Sequence, residues 1–278
     1  MILQGKLVAD KVLDSTKEYI LNNNLKLKLA IITSAQDPAS AIYAKNKMSA
    51  CALCGISYEL IPMPNAATTY DYAQVIHRLN NDKSTTGVIL QLPLPSFVNE
   101  KELLELIAPE KDVDGFTRRA HLPPCTPSGI MTLLDYYKGK NWLEGKNAVV
   151  IGRSHIVGKP MATLLTDRNA TVTICHSKTQ NMAAFTKNAD LVVVAAGKAK
   201  LLTRDMVKPG ATIIDVGINR INGKLYGDAD FENLNEICDI TPVPGGIGPM
   251  TVATLVSRLV VLDKLAKKQQ EAKQERVF

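Results

Sequence analysis

The sequence predicts an α/β protein of two domains with a cleft between them, the second a doubly wound, Rossmann-type nucleotide-binding domain. Three observations predict it. Apolar runs of strand length alternate with helix-patterned stretches at a spacing of about 30 residues, the signature of a parallel sheet covered by helices. A proline-rich segment, HLPPCTP at residues 121–127, breaks that alternation near mid-chain, where proline interrupts both helix and sheet. Beyond it the apolar run 147–151 leads into a glycine-bounded loop and a helix start with Pro160 in its first turn, a geometry that presents free backbone N–H groups to a phosphate. Residues 1–121 with 250–278 are therefore assigned to one domain and residues 122–249 to the other, a long C-terminal helix crossing back onto the first.

Bulk properties agree with a two-domain globular chain. Its 278 residues exceed the usual size of one compact unit, and 46% hydrophobic with 22% charged residues is an ordinary folded composition. The formal charge of +6 is spread along the chain, and the one dense basic run, residues 264–276, is interleaved with acids as on a solvated helix end. Small anions fit that balance better than nucleic acid, for which no basic face with stacking aromatics is present. No apolar run reaches the about 18 residues of a membrane span, and the N-terminal MILQGKLVADKV lacks a cationic region followed by a long apolar core. A cytoplasmic protein without a membrane partner is the expectation. Five scattered cysteines make no disulfide framework. The lone CxxC of Cys51 and Cys54 has no second pair or nearby histidine, so it reads as buried structural thiols and no metal is expected.

In chain order, residues 8–21 read as an amphipathic helix and residues 25–33 as a strand. Asp37 and Pro38 look like an N-cap and first-turn proline, opening a helix that Gly55 ends. Strand 57–63, helix 69–80 with a threonine cap, strand 87–92 and helix 100–107 follow. A helix over 128–137 connects the halves, and strands at 147–151, 170–175, 191–195 and 212–216 precede a helix from about residue 250 to 267. Ligands of such sheets bind beyond the carboxyl ends of the strands.

That rule directs attention to the residues after each strand. Tyr43 and Lys47 lie one helical turn apart and share a face, whereas Lys45 turns to the opposite side. An arbitrary lysine is a solvated surface residue; the neighbouring chain decides otherwise here. Gln91 closes an apolar strand and is followed by Leu92, Pro93, Leu94 and Pro95, so its amide is placed to offer a donor and an acceptor. Asp112 and Asp114 flank an apolar valine; in an extended segment they point opposite ways, so at most one faces the cleft and the other faces solvent.

In the second half the loop Gly152–Arg153–Ser154–His155–Ile156–Val157–Gly158 departs from GxGxxG, its glycines being six apart. The strand and helix around it still read as a nucleotide site. The next strand ends in His176 and Ser177, with no acidic residue for the ribose 2′-hydroxyl of NAD. Arg153 and Ser177 suit a 2′-phosphate instead, which points to NADP. Further strands end near Ala196 and Gly197 and near Gly217 and Ile218, and the Pro/Gly-rich run 242–249 lets a backbone approach a flat ligand closely.

These motifs together resemble the bifunctional methylenetetrahydrofolate dehydrogenase/methenyltetrahydrofolate cyclohydrolases. The matching pieces, in the family's order over nearly the whole chain, are DPAS (37–40), YAKNK (43–47) with Gly55 and Ile56, QLPLP (91–95), PEKDVDGF (109–116), PCTPSGI (124–130), GRSHIVGKPM (152–161), CHSKT (175–179), KPGATIIDVGIN (208–219) and TPVPGGIGPMTVATL (241–255). Two local departures stand out: Ala35 where the family commonly has glycine, and a chain between Phe116 and Pro124 that is shorter than usual.

The resemblance implies that Lys47 is the catalytic lysine, that Tyr43 stacks on the folate ring system, that Gln91 orients the lysine and the reacting carbon, and that Asp114 anchors the pterin. A carboxylate can accept bidentately from the pterin's adjacent donors. Leu92, Pro93, Pro244, Gly245, Gly246, Gly248 and Pro249 become further substrate contacts. Cofactor contacts fall to Gly152, Arg153, Ser154, Ile156, Val157, Gly158, His176, Ser177, Ala196, Gly197, Gly217, Ile218 and Thr251. The implied chemistry is hydride transfer from 5,10-methylenetetrahydrofolate to NADP+, then addition of water to the methenyl product and ring opening to 10-formyltetrahydrofolate, a one-carbon interconversion that feeds purine biosynthesis. Positioning two flat ligands supplies most of the first step, and a lysine partly removed from water supplies proton transfer in the second. A homodimer joined through the cofactor domain is also implied.

Other readings fit less well. Tyr43 and Lys47 also spell the YxxxK of short-chain dehydrogenases, but there the glycine loop precedes the tyrosine. Shikimate-type dehydrogenases share the domain order without QLPLP and PVPGGIGPM. A single-activity member remains an alternative, whereas a non-catalytic binder would have lost Lys47, Gln91 or Asp114, and all three are present.

Overall fold

The computed structural model describes residues 1–34 and 38–275, with the side chains at 38–43, 270 and 272–275 not described. The expected Asp37 cap, the departure at Ala35 and the end of the tail at Arg276 lie outside the described residues, as does the side chain of Tyr43. The chain forms two compact units, Lys11–Cys125 with Val252–Phe278 and Met1–Asp10 with Thr126–Thr251. We call them the lysine unit and the glycine-loop unit.

The chain opens with α1 (Gly5–Asn22), β1 (Lys28–Ser34), α2 (Pro38–Leu53), β2 (Ser57–Met63), α3 (Thr69–Asn81), β3 (Gly87–Leu90) and α4 (Glu100–Leu106). The strands pair in parallel in the order β2-β1-β3. The central strand β1 is buried from Leu29 to Ser34 and β3 is apolar and buried throughout, as parallel strands covered on both faces are. Local signals set the helix limits. Gly55 takes a positive φ of 73° and the Ile56 N–H donates to the Cys51 carbonyl at 2.9 Å, closing α2. Thr68 and Asp71 form a reciprocal capping box at the start of α3. Asn99 does the same service for α4, accepting from the Glu102 N–H.

The second half runs α5 (Cys125–Lys138), β4 (Asn147–Ile151), α6 (Gly158–Thr166), β5 (Thr171–Cys175), α7 (Ala183–Thr186), β6 (Leu191–Val194), β7 (Thr212–Asp215), the hairpin β8 (Asn219–Ile221) and β9 (Lys224–Tyr226), α8 (Phe231–Leu234), β10 (Asp239–Ile240) and α9 (Ile247–Glu275). The parallel sheet has the order β10-β7-β6-β4-β5. This is the doubly wound order in which the second strand lies outside the first, and its direction of winding reverses between β4 and β6. Its core gathers Val149, Val192, Val194, Ile213 and Leu234. The last part of α9 belongs to the lysine unit, as expected of a returning helix.

Residues 1–10 depart from the sequence assignment, since they belong to the glycine-loop unit. The cause is backbone pairing: Ile2 bridges Ile240 in parallel, Leu3 N–H donates to the Ile240 carbonyl and Lys6 N–H to the Gly245 carbonyl, both at 2.8 Å. Gly5 is required there, because a Cβ would stand 1.9 Å from the Gly246 carbonyl oxygen.

Candidate active site

In the lysine unit two predicted residues meet. Lys47, carried by α2, is 7% exposed, and Gln91, just beyond β3, is 8% exposed. The Lys47 ammonium donates to Gln91 Oε1 at 3.0 Å. Two further bonds orient the glutamine: its backbone N–H donates to the Ile32 carbonyl, and its side-chain Nε2 donates to the Leu92 carbonyl at 3.0 Å. With the amide nitrogen engaged, the amide oxygen faces the lysine. A hydrogen bond to a charged group contributes about 1.5–3 kcal/mol, enough to hold one ammonium geometry. Leu92 and Pro93 follow through a cis peptide bond.

Asp114 is buried on the segment after α4. Its neighbour Asp112 corrects the sequence reading, for it is not solvent-facing: it is 2% exposed. The two carboxylates need not alternate sides, because the segment is a turn and not a strand. Asp112 accepts from the Gly115 N–H at 2.9 Å and the Thr117 N–H at 2.8 Å, and Gly115 takes φ 75°. Burial pushes the Asp112 carboxyl above its usual range, against the pull of those N–H donors. Cys125 closes the turn, its N–H donating to the Asp114 carbonyl at 3.1 Å and its thiol to the Val113 carbonyl at 3.2 Å. Burial pushes the thiols of Cys125 and Cys51 up to about 12, and all five cysteines are free and buried. Such thiols are structural. Among the described residues no cluster of three or more His, Cys, Asp or Glu could hold a metal ion.

In the glycine-loop unit the predicted cofactor residues other than Thr251, which lies in α9, follow the carboxyl ends of β4, β5, β6 and β7. Gly152 takes φ 127°, and a Cβ there would stand 2.3 Å from the Ala195 carbonyl oxygen; at Gly158 it would stand 2.2 Å from the Gly152 carbonyl oxygen. The loop is therefore a tight main-chain cradle. Ser154 Oγ accepts from the Val157 N–H at 3.1 Å, shaping the turn, and α6 carries no acid in its first turn. Arg153 and Ser177 are exposed at the ends of β4 and β5, Ile156 lies in the loop, and His176 Nδ1 accepts from the Lys178 N–H. Arg153 and Ser177 at this rim, with glycines at its turns and no acid in the first turn of α6, fit a dinucleotide bearing a 2′-phosphate.

The sequence reading missed what braces this cradle. Asp228 Oδ2 accepts from the N–H groups of Ala196 at 2.6 Å and Gly197 at 2.8 Å, and its Oδ1 accepts from Asn219 Nδ2. Asp215 in turn accepts from the N–H groups of Gly217, Asp228 and Ala229, each at 2.9 Å. Both acids are buried, and burial outweighs the three donors so that Asp215 is pushed up to about 6. Gly217 and Gly227 are needed beside them, since added Cβ atoms would stand 2.3 Å and 1.8 Å from the carboxylates of Asp228 and Asp215. The available signal was an aspartate ending the apolar strand TIID.

Pro244, Gly245, Gly246, Gly248 and Pro249, predicted beside the substrate, belong to the glycine-loop unit and not to the unit holding Lys47. Val243–Pro244 is cis, and Gly246 is closed against Pro242, whose carbonyl oxygen would lie 2.4 Å from a Cβ. Ile218 is exposed beyond β7, and Thr251 bonds to Thr126 at 3.0 Å.

Comparison with known proteins places this geometry. Residues 3–114 match the tetrahydrofolate dehydrogenase/cyclohydrolase catalytic domain, and residues 124–268 match the NAD(P)-binding domain of the same family. The chain belongs to the tetrahydrofolate dehydrogenase/cyclohydrolase family. It is 48% identical over 266 residues to the "Bifunctional protein FolD" of Methanospirillum hungatei, covering 92% of this chain and 95% of the relative. Among solved structures, the bifunctional enzyme FolD, methylenetetrahydrofolate dehydrogenase/cyclohydrolase, of Campylobacter jejuni superimposes with a TM-score of 0.92 at 42% identity, covering 96% and 99% of the two chains. The Trypanosoma brucei N5,N10-methylenetetrahydrofolate dehydrogenase-cyclohydrolase, solved with NADP cofactor and an inhibitor, superimposes with a TM-score of 0.90 at 31% identity, covering 96% and 98%. In family terms, Lys47, Gln91 and Asp114 fall within the catalytic-domain match and the glycine loop within the NAD(P)-binding match.

Proposed function

We propose that the protein oxidises 5,10-methylenetetrahydrofolate to the methenyl form with NADP+ and hydrolyses the methenyl form to 10-formyltetrahydrofolate, with Lys47 as the proton-handling residue of the second reaction. The observation that carries this reading is the buried Lys47–Gln91 hydrogen bond. NADP+, when bound, accepts the hydride that leaves the bridging methylene. The chain's task in that step is placement. The cradle of Gly152 to Gly158 receives the dinucleotide, backed by the Ala196–Gly197 turn that Asp228 holds, with Arg153 and Ser177 on its 2′-phosphate; Asp114 accepts from the pterin's donor pair, and Tyr43 stacks on the ring system.

In hydrolysis, water adds to the methenyl carbon and the ring nitrogen departs. Lys47 moves the proton between the carbon-bound oxygen and that nitrogen, and Gln91 fixes where the ammonium stands while it does so. A mobile, solvated lysine would lose that positional advantage. The lysine's own exposure of 7% supports the role.

Two features follow at coarser resolution. β5 is an edge strand of its sheet, with Ile174 39% exposed; we propose it as the seam of a homodimer, since an uncovered edge invites pairing, and light scattering with an Ile174→Lys variant tests it. No helix among the described residues is long and apolar enough to cross a membrane; a cytoplasmic location is proposed with it, and cell fractionation decides.

The test of function follows absorbance of the purified protein with methylenetetrahydrofolate and NADP+ or NAD+, then with methenyltetrahydrofolate and no cofactor. Turnover in both assays, with NADP+ preferred, is the expected result. Failure of both removes the enzymatic reading, and turnover in the second assay alone makes the protein a cyclohydrolase.

A further inference from the structure

The segment from Asp112 to Cys125 carries the proposed pterin anchor, Asp114, yet beyond the turn at 109–111 it contains no helix or strand before α5 begins. Something other than a backbone ladder must hold it to the tolerance that substrate placement demands. Two sets of bonds lie within the segment: the Asp112 carboxylate on the N–H groups of Gly115 and Thr117, and Cys125 on the carbonyls of Val113 and Asp114. These shape the loop. Outside it, the Arg118 N–H reaches the partly exposed Glu105 carboxylate of α4 at 3.3 Å, away from both ends of the segment.

A third set comes from 144 residues further along the chain. Arg258, on the part of α9 that belongs to the lysine unit, is 5% exposed. Its guanidinium Nη1 donates to the carbonyls of Val113 at 3.1 Å and Asp114 at 3.3 Å, and its Nη2 donates to the carbonyl of Pro123. One rigid fork thus spans both ends of the loop, a use for which the planar guanidinium with its five donors is suited and a flexible side chain is not. Packing reinforces the placement. Val113 and the adjacent Leu259 close over β3, where Gly87 leaves room, since a Cβ there would stand 2.1 Å from Val113 and 2.6 Å from Leu259. Asp112 also bridges Val88 of β3 in parallel. The loop is clamped between the strand that leads to Gln91 and the helix that carries Arg258.

We propose that Arg258 is the positioning residue for folate: by holding the carbonyls on either side of the Asp114 side chain it sets where that carboxylate meets the pterin. The inference rests on the proposed role of Asp114. It differs from a generic packing role in what it predicts, because a clamp on one substrate's anchor alters that substrate's KM and leaves the other's alone.

The experiment compares full-length wild type, Arg258→Met and Arg258→Lys. Methionine keeps the length and apolar stem but no donors; lysine restores three donors without the planar fork. The expected result for Arg258→Met is a rise of at least tenfold in KM for methylenetetrahydrofolate and for methenyltetrahydrofolate, with KM for NADP+ within twofold and kcat reduced much less than kcat/KM. Arg258→Lys is expected to recover a clear part of the folate KM. A folate KM within twofold of wild type in Arg258→Met overturns the proposal. So does an equal loss toward folate and NADP+, or a lysine variant that folds with a wild-type melting temperature yet recovers nothing. Should Arg258→Met fail to fold, the Arg258→Lys variant alone decides, its folate KM raised at unchanged NADP+ KM in support and both unchanged or both raised against. If wild type turns over but Asp114→Asn binds folate normally, the role of Asp114 fails and not the clamp geometry, and the two failures are told apart.

Discussion

In the lysine unit the groups proposed for the chemistry are side chains, Lys47 from α2 and Gln91 from the end of β3, each almost fully withdrawn from water. In the glycine-loop unit the proposed site is main chain, the loop after β4, backed by the Ala196–Gly197 turn after β6, whose N–H groups Asp228 holds while Asp215 holds Asp228. A buried ammonium needs a fixed partner, and one glutamine supplies it. A backbone cradle needs no functional side chain at the ligand, but it needs glycine where a Cβ would collide and buried acceptors to hold its turns. The two sets of residues answer to different substitutions, so each can be damaged with the other left as an internal control.

The largest effect is predicted for Lys47→Met. Positioned acid–base groups contribute about 10²–10⁴-fold, so cyclohydrolase turnover should fall by about that factor while calorimetric NADP+ affinity stays within twofold. Full hydrolysis by the variant would remove Lys47 from the reaction. A parallel loss of NADP+ binding would instead break the separation between the units.

Gly152→Ala should give the mirror image. At φ 127° with a carbonyl oxygen 2.3 Å from the new Cβ, the loop must shift. Strain of about 1–3 kcal/mol at such a position corresponds to a loss of NADP+ affinity of roughly five- to 150-fold. The cofactor-free hydrolysis of methenyltetrahydrofolate should persist. Equal loss in both assays would mean the substitution unfolds the unit rather than reshaping its cradle.

Asp215 sharpens the contrast through pH. Its carboxyl, pushed up to about 6 by burial, binds a proton more tightly in the folded protein than in the unfolded chain. The stability it contributes is therefore present in full below about pH 4, the unfolded value, and is lost as pH rises through about 6. The change is bounded by about 3 kcal/mol for two pH units. Asp215→Asn removes the titration, so the stability difference between wild type and variant, from denaturant melts at pH 4.5, 5.5 and 7, should shift steadily against wild type. A difference that is flat with pH would show that the carboxyl stays ionised throughout.

Much of this was legible beforehand because it rests on short-range rules. Ser57–Met63 and Asn147–Ile151 are strands at the residues their apolar runs marked, and Lys47 and Gln91 stand at a helix face and strand end that the alternation itself identifies. The unread parts depend on contacts distant in sequence. Residues 1–10 join the glycine-loop unit through Ile240, Asp112 is buried by a turn that a strand reading turns outward, and the Asp215–Asp228 brace becomes visible only when β7 and the end of the β8–β9 hairpin lie side by side. α7, α8 and the hairpin are three or four residues per element, too short for a periodic signal.

The smallest predicted effect concerns the rim of the cradle. Arg153 is exposed, so the attraction for a 2′-phosphate proposed for it is screened by water and salt and is weaker than the same pair buried. A charge-assisted bond at the weak end, about 1.5 kcal/mol, corresponds to roughly tenfold in affinity. Arg153→Ala should therefore raise KM for NADP+ by about that factor and leave KM for NAD+, which lacks the phosphate, unchanged. The preference should shrink further as ionic strength rises, for wild type but not for the variant. If Arg153→Ala weakened NAD+ as much as NADP+, the arginine would be shaping the loop rather than reading the phosphate, and the glycine-loop unit would recognise its ligand through the main chain alone.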